Sequence, residues 1–293
     1  VEMSGGGVID AGASRGVMRI EWKDGGVRHE ADGWTLEGVS FAGEFAIDTE
    51  KGTIESTLPL SVVVQTMTTA RFGARGLAVI ARLNADRTLA VEEARIEIAG
   101  GEVTADPTTV ALTPMASELN LRITNVGLQD VAALVPSGLL ESRGRINGAV
   151  RVGWSEAGGF KLGEGNLVLE QTEPAMVRLA PTPGFLTAQI TERVPLLPAS
   201  FGPLARWTSL RNPAFEEIRD IELGRTGLQI ESLSVQLSPQ GDRDGRTARV
   251  RMTGRPARPD SVVGAVTFEV NVAGPLSEVL RLGMNQSFSV ETR

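Results

Sequence analysis

The sequence has no cysteine, no tyrosine and a single histidine. Without cysteine the chain can form no disulfide bond, no thiolate nucleophile and no thiolate-bound zinc site, so both the periplasm and the cytoplasm remain open as its compartment. Aromatic residues make up only 4% of the 293 residues, which disfavours a site that stacks carbohydrate or nucleic-acid bases on aromatic rings. These absences exclude several classes of protein before any motif is considered.

Long apolar runs are also absent. No stretch approaches the ~20 consecutive apolar residues that a membrane-spanning helix needs, and no segment has the pattern of a signal peptide. The chain begins at Val1 and not at a methionine. We therefore expect it to be a fragment of a longer protein, so the lack of an anchor in this sequence says nothing about that protein.

Acidic residues outnumber basic residues by 36 to 29, which gives a net charge of -7 and a pI of about 5.0. This balance opposes binding to nucleic acid, because phosphates favour a clustered basic surface. It also opposes binding to an anionic membrane through net charge alone. The sequence therefore predicts no nucleic-acid partner.

No group of residues has the composition and spacing of a catalytic or metal site. His29 has no second histidine or cysteine with which to form a dyad or a metal site. Gly5–Gly7 lacks the lysine and hydroxyl residue of a phosphate-binding loop, and Asp242–Gly245 lacks the distal glutamate of a calcium loop. Glu92 and Glu93 are adjacent, so on a strand they would point to opposite faces. The sequence predicts no enzyme, no metal and no cofactor.

Alternation of apolar and polar residues with a period of two is the main signal in the chain, and it predicts strands with one apolar and one wet face. Arg145–Trp154 shows it most clearly, and Ala94–Ile98, Thr247–Thr253 and Val266–Val272 repeat it. At Glu231–Ser232 the alternation changes phase, which predicts a β-bulge. Glycine-rich turns between the runs are typical of hairpins. The predicted fold is therefore mainly β and antiparallel.

Helical signals are few. Leu128–Val135 predicts one short helix, Leu276–Leu282 predicts a second, and a third is expected near Phe215–Ile218. Prolines are concentrated between residues 174 and 213, which is the best position for an interruption of the fold. Because no low-complexity linker marks a domain boundary, we interpret residues 1–293 as a single elongated unit.

The apolar faces of the strands have two interpretations. They form the closed core of a β-sandwich, which is the simpler interpretation. Alternatively, part of the face stays open and binds acyl chains, because a continuous apolar surface left bare in water is costly. The residues assigned to this face are Ile146, Val150, Val152, Trp154, Leu167, Leu169, Val250, Phe268 and Val270.

Several segments, in order, resemble a known family. The helical stretch Leu128–Val135 leads into Gly144–Val152, which reads Gly-x-Ile-x-Gly-x-Val-x-Val, with Ile146 where leucine is more usual. Gly158–Leu169 fits the next hairpin, and Thr247–Leu280 fits the tail. This order resembles the YdbH-type proteins, relatives of the AsmA and TamB envelope families, over roughly residues 90–290.

The resemblance implies a long, strongly curved antiparallel sheet, a taco-like β-groove with an apolar concave face. Proteins of this kind are anchored in the inner membrane, cross the periplasm and take part in moving phospholipid towards the outer membrane. The resemblance therefore implies that phospholipid acyl chains contact the apolar face, and it leaves an outer-membrane lipoprotein open as a partner. The alternative is a structural scaffold that binds an outer-membrane protein through an edge of its sheet.

Overall fold

The computed structural model describes residues 2–10, 13–29, 34–68, 73–132, 139–155, 159–196, 200, 208–241, 243 and 245–273. Strands account for 67% of the chain and helices for 7%. The strands belong to a large antiparallel sheet, apart from one short two-stranded sheet. The mainly β, antiparallel fold predicted from the alternation is confirmed.

The strands range from 3 residues in β15 to 17 in β2 and follow one another with few helices between them. Their bounds are β1 (Glu2–Asp10), β2 (Ala13–His29), β3 (Trp34–Asp48), β4 (Thr53–Ser56), β5 (Leu60–Thr68), β6 (Gly73–Leu83), β7 (Thr88–Ile98), β8 (Gly101–Ala105), β9 (Thr108–Leu112), β10 (Met115–Gly127), β11 (Leu139–Arg143), β12 (Arg145–Ser155), β13 (Gly159–Leu169), β14 (Ala175–Leu179), β15 (Arg193–Pro195), β16 (Ser209–Arg211), β17 (Leu228–Leu237), β18 (Arg246–Pro256) and β19 (Val266–Ala273).

The described helices are few. α1 spans Leu128–Ala132, a 3₁₀ turn spans Thr187–Gln189, and α2 spans Pro213–Glu222. α1 begins where the sequence predicted a helix, whereas α2 is longer than the predicted Phe215–Ile218. The helix predicted at Leu276–Leu282 lies outside the described residues.

The first of two compact units comprises residues 1–127, 146–167 and 236–240. Its strands form an antiparallel ladder in which β1 pairs with β2, β2 with β3, β3 with β4 and β5, β5 with β6, and β6 with β7. β7 pairs with β8 and β9, and both of these also pair with β10. Register shifts between β2 and β3 and between β6 and β7 mark bulges, which increase the local twist of a sheet.

The second unit comprises residues 128–145, 168–235 and 241–293. Here β11 pairs with β14, β14 with β17, and β18 with β19, all antiparallel. β15 and β16 form the separate two-stranded sheet. The proline-rich range 174–213 therefore contains β14, which belongs to the large sheet, and β15 and β16, which do not.

α2 begins before the predicted Phe215 because the residues at its N-terminus favour the start of a helix. The side-chain oxygen of Asn212 accepts a hydrogen bond from the backbone N–H of Ala214 at 3.1 Å, and Pro213 occupies the first helical position. An asparagine N-cap and a proline at the next position are both favoured at a helix start. The helix then buries Ile221 completely.

The buried carboxylate of Glu222, at the end of α2, holds the segment that follows β14. It accepts hydrogen bonds from the backbone N–H groups of Gly184 (2.9 Å), Leu186 (2.7 Å) and Thr187 (2.9 Å), and from the Thr187 hydroxyl. Burial alone would raise the pKa of Glu222, but the hydrogen bonds from Thr187, Gly184 and Leu186 together leave it below its ordinary value of 4.5. The charged form is therefore the one that the fold stabilises.

A second carboxylate of α2 holds the segment between β18 and β19. Glu217 accepts hydrogen bonds from the hydroxyl of Ser261 at 2.6 Å and from the N–H groups of Val262 and Val263, each at 3.1 Å. The Ser261 hydrogen bond is the main cause that lowers the pKa of Glu217. One helix thus fixes two connecting segments that are distant in sequence.

We expect Glu222→Gln to lower the free energy of unfolding by about 1–3 kcal/mol at pH 7, because one buried acceptor becomes a donor and the charge-assisted hydrogen bonds are lost. Since the folded pKa is lowered, this stabilisation is complete above the unfolded pKa and is lost as the pH falls through the folded value. Urea unfolding followed by circular dichroism at pH 7 and at about pH 3 should show the two proteins converging in acid. Glu216→Gln, on the exposed side of the same helix, is the control and should change stability by less than about 0.5 kcal/mol. An undiminished difference in acid would contradict the prediction.

Gly148 allows β12 and β13 to approach closely. A Cβ at this position would overlap the backbone carbonyl oxygen of Asn166 and lie 2.9 Å from the Cα of Leu167. Backbone atoms cannot move aside as a flexible side chain can, so only glycine fits here. By contrast, a Cβ added at Gly73 would meet nothing within 4 Å.

We expect Gly148→Ala to lower the free energy of unfolding by about 1–3 kcal/mol through overpacking. Gly73→Ala should change it by less than about 0.5 kcal/mol or raise it slightly, since alanine reduces the freedom of the unfolded chain. Thermal and urea unfolding of the two variants would test this. Equal effects of the two substitutions would show that the close approach at Gly148 is not a real constraint.

Candidate functional site

Register in the first unit places one apolar side chain on each of seven paired strands, directly opposite one another. The series passes through β2, β3, β5, β6, β7, β8 and β10, and because cross-strand partners share a face of the sheet, all seven side chains are on the same side. We call this series the apolar row. Its members are Trp22, Phe41, Val62, Val79, Ala94, Ala105 and Leu121.

The apolar row is long enough for a lipid tail. Six steps of ~4.8 Å between neighbouring strands give a length of about 29 Å. One leaflet of a bilayer has a hydrocarbon depth of ~15 Å, half of the ~30 Å core. A fatty acyl chain of ordinary length could therefore lie along the row with all of its methylenes against apolar side chains.

On β7, β8 and β10 the face opposite the apolar row carries mainly polar and charged side chains. One position along from Val79, the partners Ala78, Arg95, Thr104 and Arg122 run in register across β6, β7, β8 and β10. A parallel series contains Thr66, Arg75, Glu97, Glu102 and Thr124, all exposed. In it Arg75 Nε lies 3.0 Å from Glu97 Oε2. On these strands one face therefore carries charged and polar side chains, and the other face carries the apolar row.

Burial along β5 shows that the apolar row is accessible. Leu60 and Val64 are buried, whereas Val62, between them on the same face, is only partly buried. On β6, Ala81 is buried while its neighbour on the face, Val79, is partly buried. In a sealed sandwich the centre of the face would be the most buried part. On β5 the row position is more accessible than both of its neighbours on the face, and on β6 it is more accessible than Ala81.

Large aromatic side chains occupy one end of the apolar row. The rings of Phe41 and Phe45 are stacked, with centroids 6.4 Å apart and an interplanar angle of 19°. Gly43 lies between them, and a Cβ there would lie 2.8 Å from the Cδ2 of Leu60 and 2.9 Å from the Cζ of Phe41. Along the row the side chains become smaller, from Trp22 and Phe41 through two valines to two alanines. Leu121 ends the row at β10. More space is therefore left above β7 and β8 than above β2 and β3.

The predicted face residues of the first unit lie on β12 and β13. Exposure increases along β12 from Ile146, which is 2% exposed, through Val150 and Val152 to Trp154, which is 40% exposed. Leu167 on β13 is partly buried. The predicted face is therefore closed at the start of β12 and open at its end.

The predicted face residues of the second unit lie close to β18 and β19. Val250 and Val270 are direct cross-strand partners, and Phe268 is the partner of Met252. Phe268 is buried, as is Leu169 in the same unit, whereas Val250 and Val270 are partly buried. The structure thus brings three of these four residues onto one strand pair.

Sequence reasoning missed the apolar row, although a signal for it was present. The alternation of Phe41, Gly43 and Phe45 marks one face of β3, and Leu60, Val62 and Val64 mark one face of β5. Alternation identifies the face within each strand but not the partner residue on the next strand. The row exists only through register, which no local pattern encodes.

The described residues contain no candidate metal-binding cluster. No group of three or more histidine, cysteine, aspartate or glutamate side chains there could hold a metal ion. Asp242 and Asp244, considered for calcium, lie outside the described residues. In the part of the chain that the structure describes, no helix is both long and apolar enough to cross a membrane.

The fold and the face define a class: an antiparallel β-sheet protein that presents an extended apolar surface on one side and charges on the other. The model of the YdbH-like family, described as intermembrane phospholipid transport protein YdbH, matches residues 27–194, which is 168 of the 293 residues. The chain belongs to the YdbH-like family, which is a family of lipid transport and not of enzymes. No curated protein and no solved structure matches it.

The matched range differs from the range of the resemblance seen in the sequence. It begins at residue 27 and so includes β3, β5 and β6, which carry part of the apolar row and lie before the roughly 90–290 of the resemblance. It ends at residue 194, before β17, β18 and β19. The matched range therefore includes all of β3, β5, β6, β7, β8 and β10, which carry six of the seven residues of the row.

We expect Val62→Ala to cost about 1 kcal/mol or less in the delipidated protein, since its side chain already contacts water. Val64→Ala, on the same strand and the same face but buried, should cost about 2–3 kcal/mol, because it removes two buried methyl groups and leaves a cavity. Urea unfolding of both variants measures the difference. Equal and large costs would mean that the row is the centre of a sealed core.

Proposed function

We propose that the chain binds phospholipid acyl chains on its apolar face and forms part of a periplasmic conduit between the inner and outer membranes. The observation that carries this proposal is the apolar row, which is continuous over seven strands and partly accessible. Membership of the YdbH-like family supports the phospholipid as ligand. A conduit moves its cargo without changing it, so it needs no catalytic group.

The physical basis of the proposal is the transfer of methylenes out of water. Each methylene placed against the row is favourable by about 0.8 kcal/mol, and no directional contact is required. A charged headgroup can remain in water while its chains are bound, so its desolvation is avoided. Neighbouring positions along the row are alike in chemistry, which keeps the barriers to movement along it low.

We propose that the residues that the sequence assigned to the apolar face extend the surface formed by the apolar row. Val152, Trp154 and Leu167 continue the accessible apolar surface in the first unit, and Val250 and Val270 provide one in the second. Ile146, Val150, Leu169 and Phe268 are buried and act as the support beneath it. We propose that residues 1–293 act as a single groove element, with residues 174–213 as its interruption.

The cellular setting is proposed on the family alone. Intermembrane transport of phospholipid requires a protein in the periplasm, and the parent protein is proposed to be anchored in the inner membrane. An outer-membrane lipoprotein is proposed as the partner at the far end. Pairing between strand edges is the interaction that such a sheet offers to a partner.

A pair of adjacent residues tests the lipid contact directly. A photo-crosslinking p-benzoylphenylalanine placed at Val62 lies on the face of the row, whereas the same group placed at Val63 lies on the opposite face, where Val63 pairs with Ala78. We expect ultraviolet irradiation in cells to attach phospholipid to the first protein and not to the second. Mass spectrometry of the purified proteins identifies the adduct.

The same two positions give a binding test. Val62→Glu should reduce co-purified phospholipid by at least about fivefold, because a buried charge beside an acyl chain costs more than ~1 kcal/mol. Val63→Glu adds the same charge to a residue that is already exposed and should retain the lipid. Equal lipid content in the two variants, or equal crosslinking at the two positions, would sink the proposal.

A further inference from the structure

In the second unit, one apolar face of β14 and β17 is closed to water. Ala175, Val177 and Leu179 alternate along β14 and therefore lie on one face. Register pairs Ala175 with Ile230 and Val177 with Leu228, and cross-strand partners share a face. The exposed fractions of these five side chains range from 0% for Leu228 to 9% for Leu179. We call these five residues the covered face.

The covered face lies on the same side of the sheet as an accessible apolar residue of β18. A Cβ added at Gly254 would lie 3.0 Å from the Cδ1 of Ile230, so Gly254 and Ile230 point to the same side. Val250, four residues before Gly254 on β18, shares that face because side chains alternate along a strand. Val250 is only partly buried. The same face is therefore accessible at Val250 and closed at β14 and β17.

Helix α2 packs against the end of β14, beside the covered face. The N–H of Thr182, just after β14, donates to the carbonyl oxygen of Glu222 at 3.2 Å. A Cβ added at Gly224, just after α2, would lie 2.5 Å from the carbonyl oxygen of Leu179. The side chain of Ile221 on α2 has no exposed surface. α2 is therefore in position to exclude water from the covered face.

Polar contacts hold α2 in place more than apolar ones do. Of its ten residues, only Ile221 and Glu222 are buried, whereas a helix packed on a core normally buries three or four apolar side chains in two turns. Glu222 accepts the hydrogen bonds of the segment after β14, and Glu217 accepts those of the segment before β19. Elements with few buried apolar contacts open locally while the rest of a protein stays folded.

We propose that α2 is a lid over a second acyl-chain site, and that this site is the covered face. When the hydrogen bonds of Glu217 and Glu222 break, α2 leaves the face and an acyl chain takes its place over Val177 and Leu228. These side chains then stay out of water in both states, which keeps the cost of the exchange low. The inference rests on the proposed function for the kind of ligand, but it concerns strands that the apolar row does not include.

The absence of cysteine from the chain makes the opening of the lid measurable. Val177→Cys places the only thiol of the chain on the covered face, where N-ethylmaleimide reaches it only after local opening. Combining Glu217→Gln with Glu222→Gln should raise the rate of modification at position 177 by at least about tenfold, because the charge-assisted hydrogen bonds that hold α2 are lost. Mass spectrometry of the intact 293-residue chain measures the rate.

Three further variants separate opening of the lid from general unfolding. Val64→Cys places the thiol at a buried position of the first unit, and the two glutamine substitutions should change its rate by less than about twofold. Ile221→Ala leaves both carboxylates intact and should also accelerate the reaction at position 177, because the main apolar contact of α2 is lost. Glu216→Gln, exposed on the same helix, should leave both rates unchanged.

Photolabelling tests whether an acyl chain enters the opened site. The wild type and the Glu217→Gln/Glu222→Gln variant are irradiated with vesicles of a phosphatidylcholine that carries a diazirine in one acyl chain, and the labelled peptides are mapped by mass spectrometry. We expect labels on β5 and β6 in both proteins, and on β14 and β17 in the variant alone.

The outcomes distinguish the lid from the proposed function. Absence of label from β5 and β6 in both proteins would count against the proposed function. Label on β5 and β6, with none on β14 and β17 in the variant or with equal amounts there in the wild type, would overturn the lid and leave the proposed function standing. The lid is also overturned if position 177 reacts no faster in the variants, or if position 64 is accelerated equally, since α2 would then be a fixed part of the core.

Discussion

The structure depends on the register of its antiparallel strands. A shift of one residue between two strands would move every apolar side chain of one of them to the opposite face. Between Phe41 on β3 and Leu121 on β10, five successive strand pairs keep the apolar partners opposite one another. Bulges occur between β6 and β7, yet Val79 and Ala94 remain partners. The apolar row and the charged face behind it are two results of this one constraint.

A row of this kind binds differently from a pocket. A pocket fixes its ligand through a few polar groups, whereas the row offers many weak and similar contacts. Its side chains change in size along its length, from Trp22 to Ala105, but not in polarity. Affinity therefore depends on the number of methylenes in contact, and position along the row matters little. This is the property that a lipid conduit needs, because any strongly preferred position would stop the movement of lipid.

The sequence predicted the features that are local and missed those that depend on distant residues. Alternation correctly predicted β12, β18 and β19, and it predicted the phase change in β17, where Glu231 and Ser232 are both exposed. It could not predict the partner residues that build the apolar row. Nor could it predict that Glu222 accepts hydrogen bonds from Gly184 and Thr187, which are 38 and 35 residues away. Such contacts are determined by topology, and a period of two in the sequence contains no information about topology.

An accessible apolar row is also a hazard, because exposed strands with apolar faces tend to pair with other chains. The charges on the opposite face reduce this hazard. Arg75 and Glu97 form an ion pair there, and so do Arg82 and Glu92. Exposed pairs of this kind add little stability, but they keep that part of the opposite face hydrated. The net charge of -7 further opposes association between copies. The chain can therefore keep its apolar row available for a lipid, because the same alternation that creates the row places charges directly behind it.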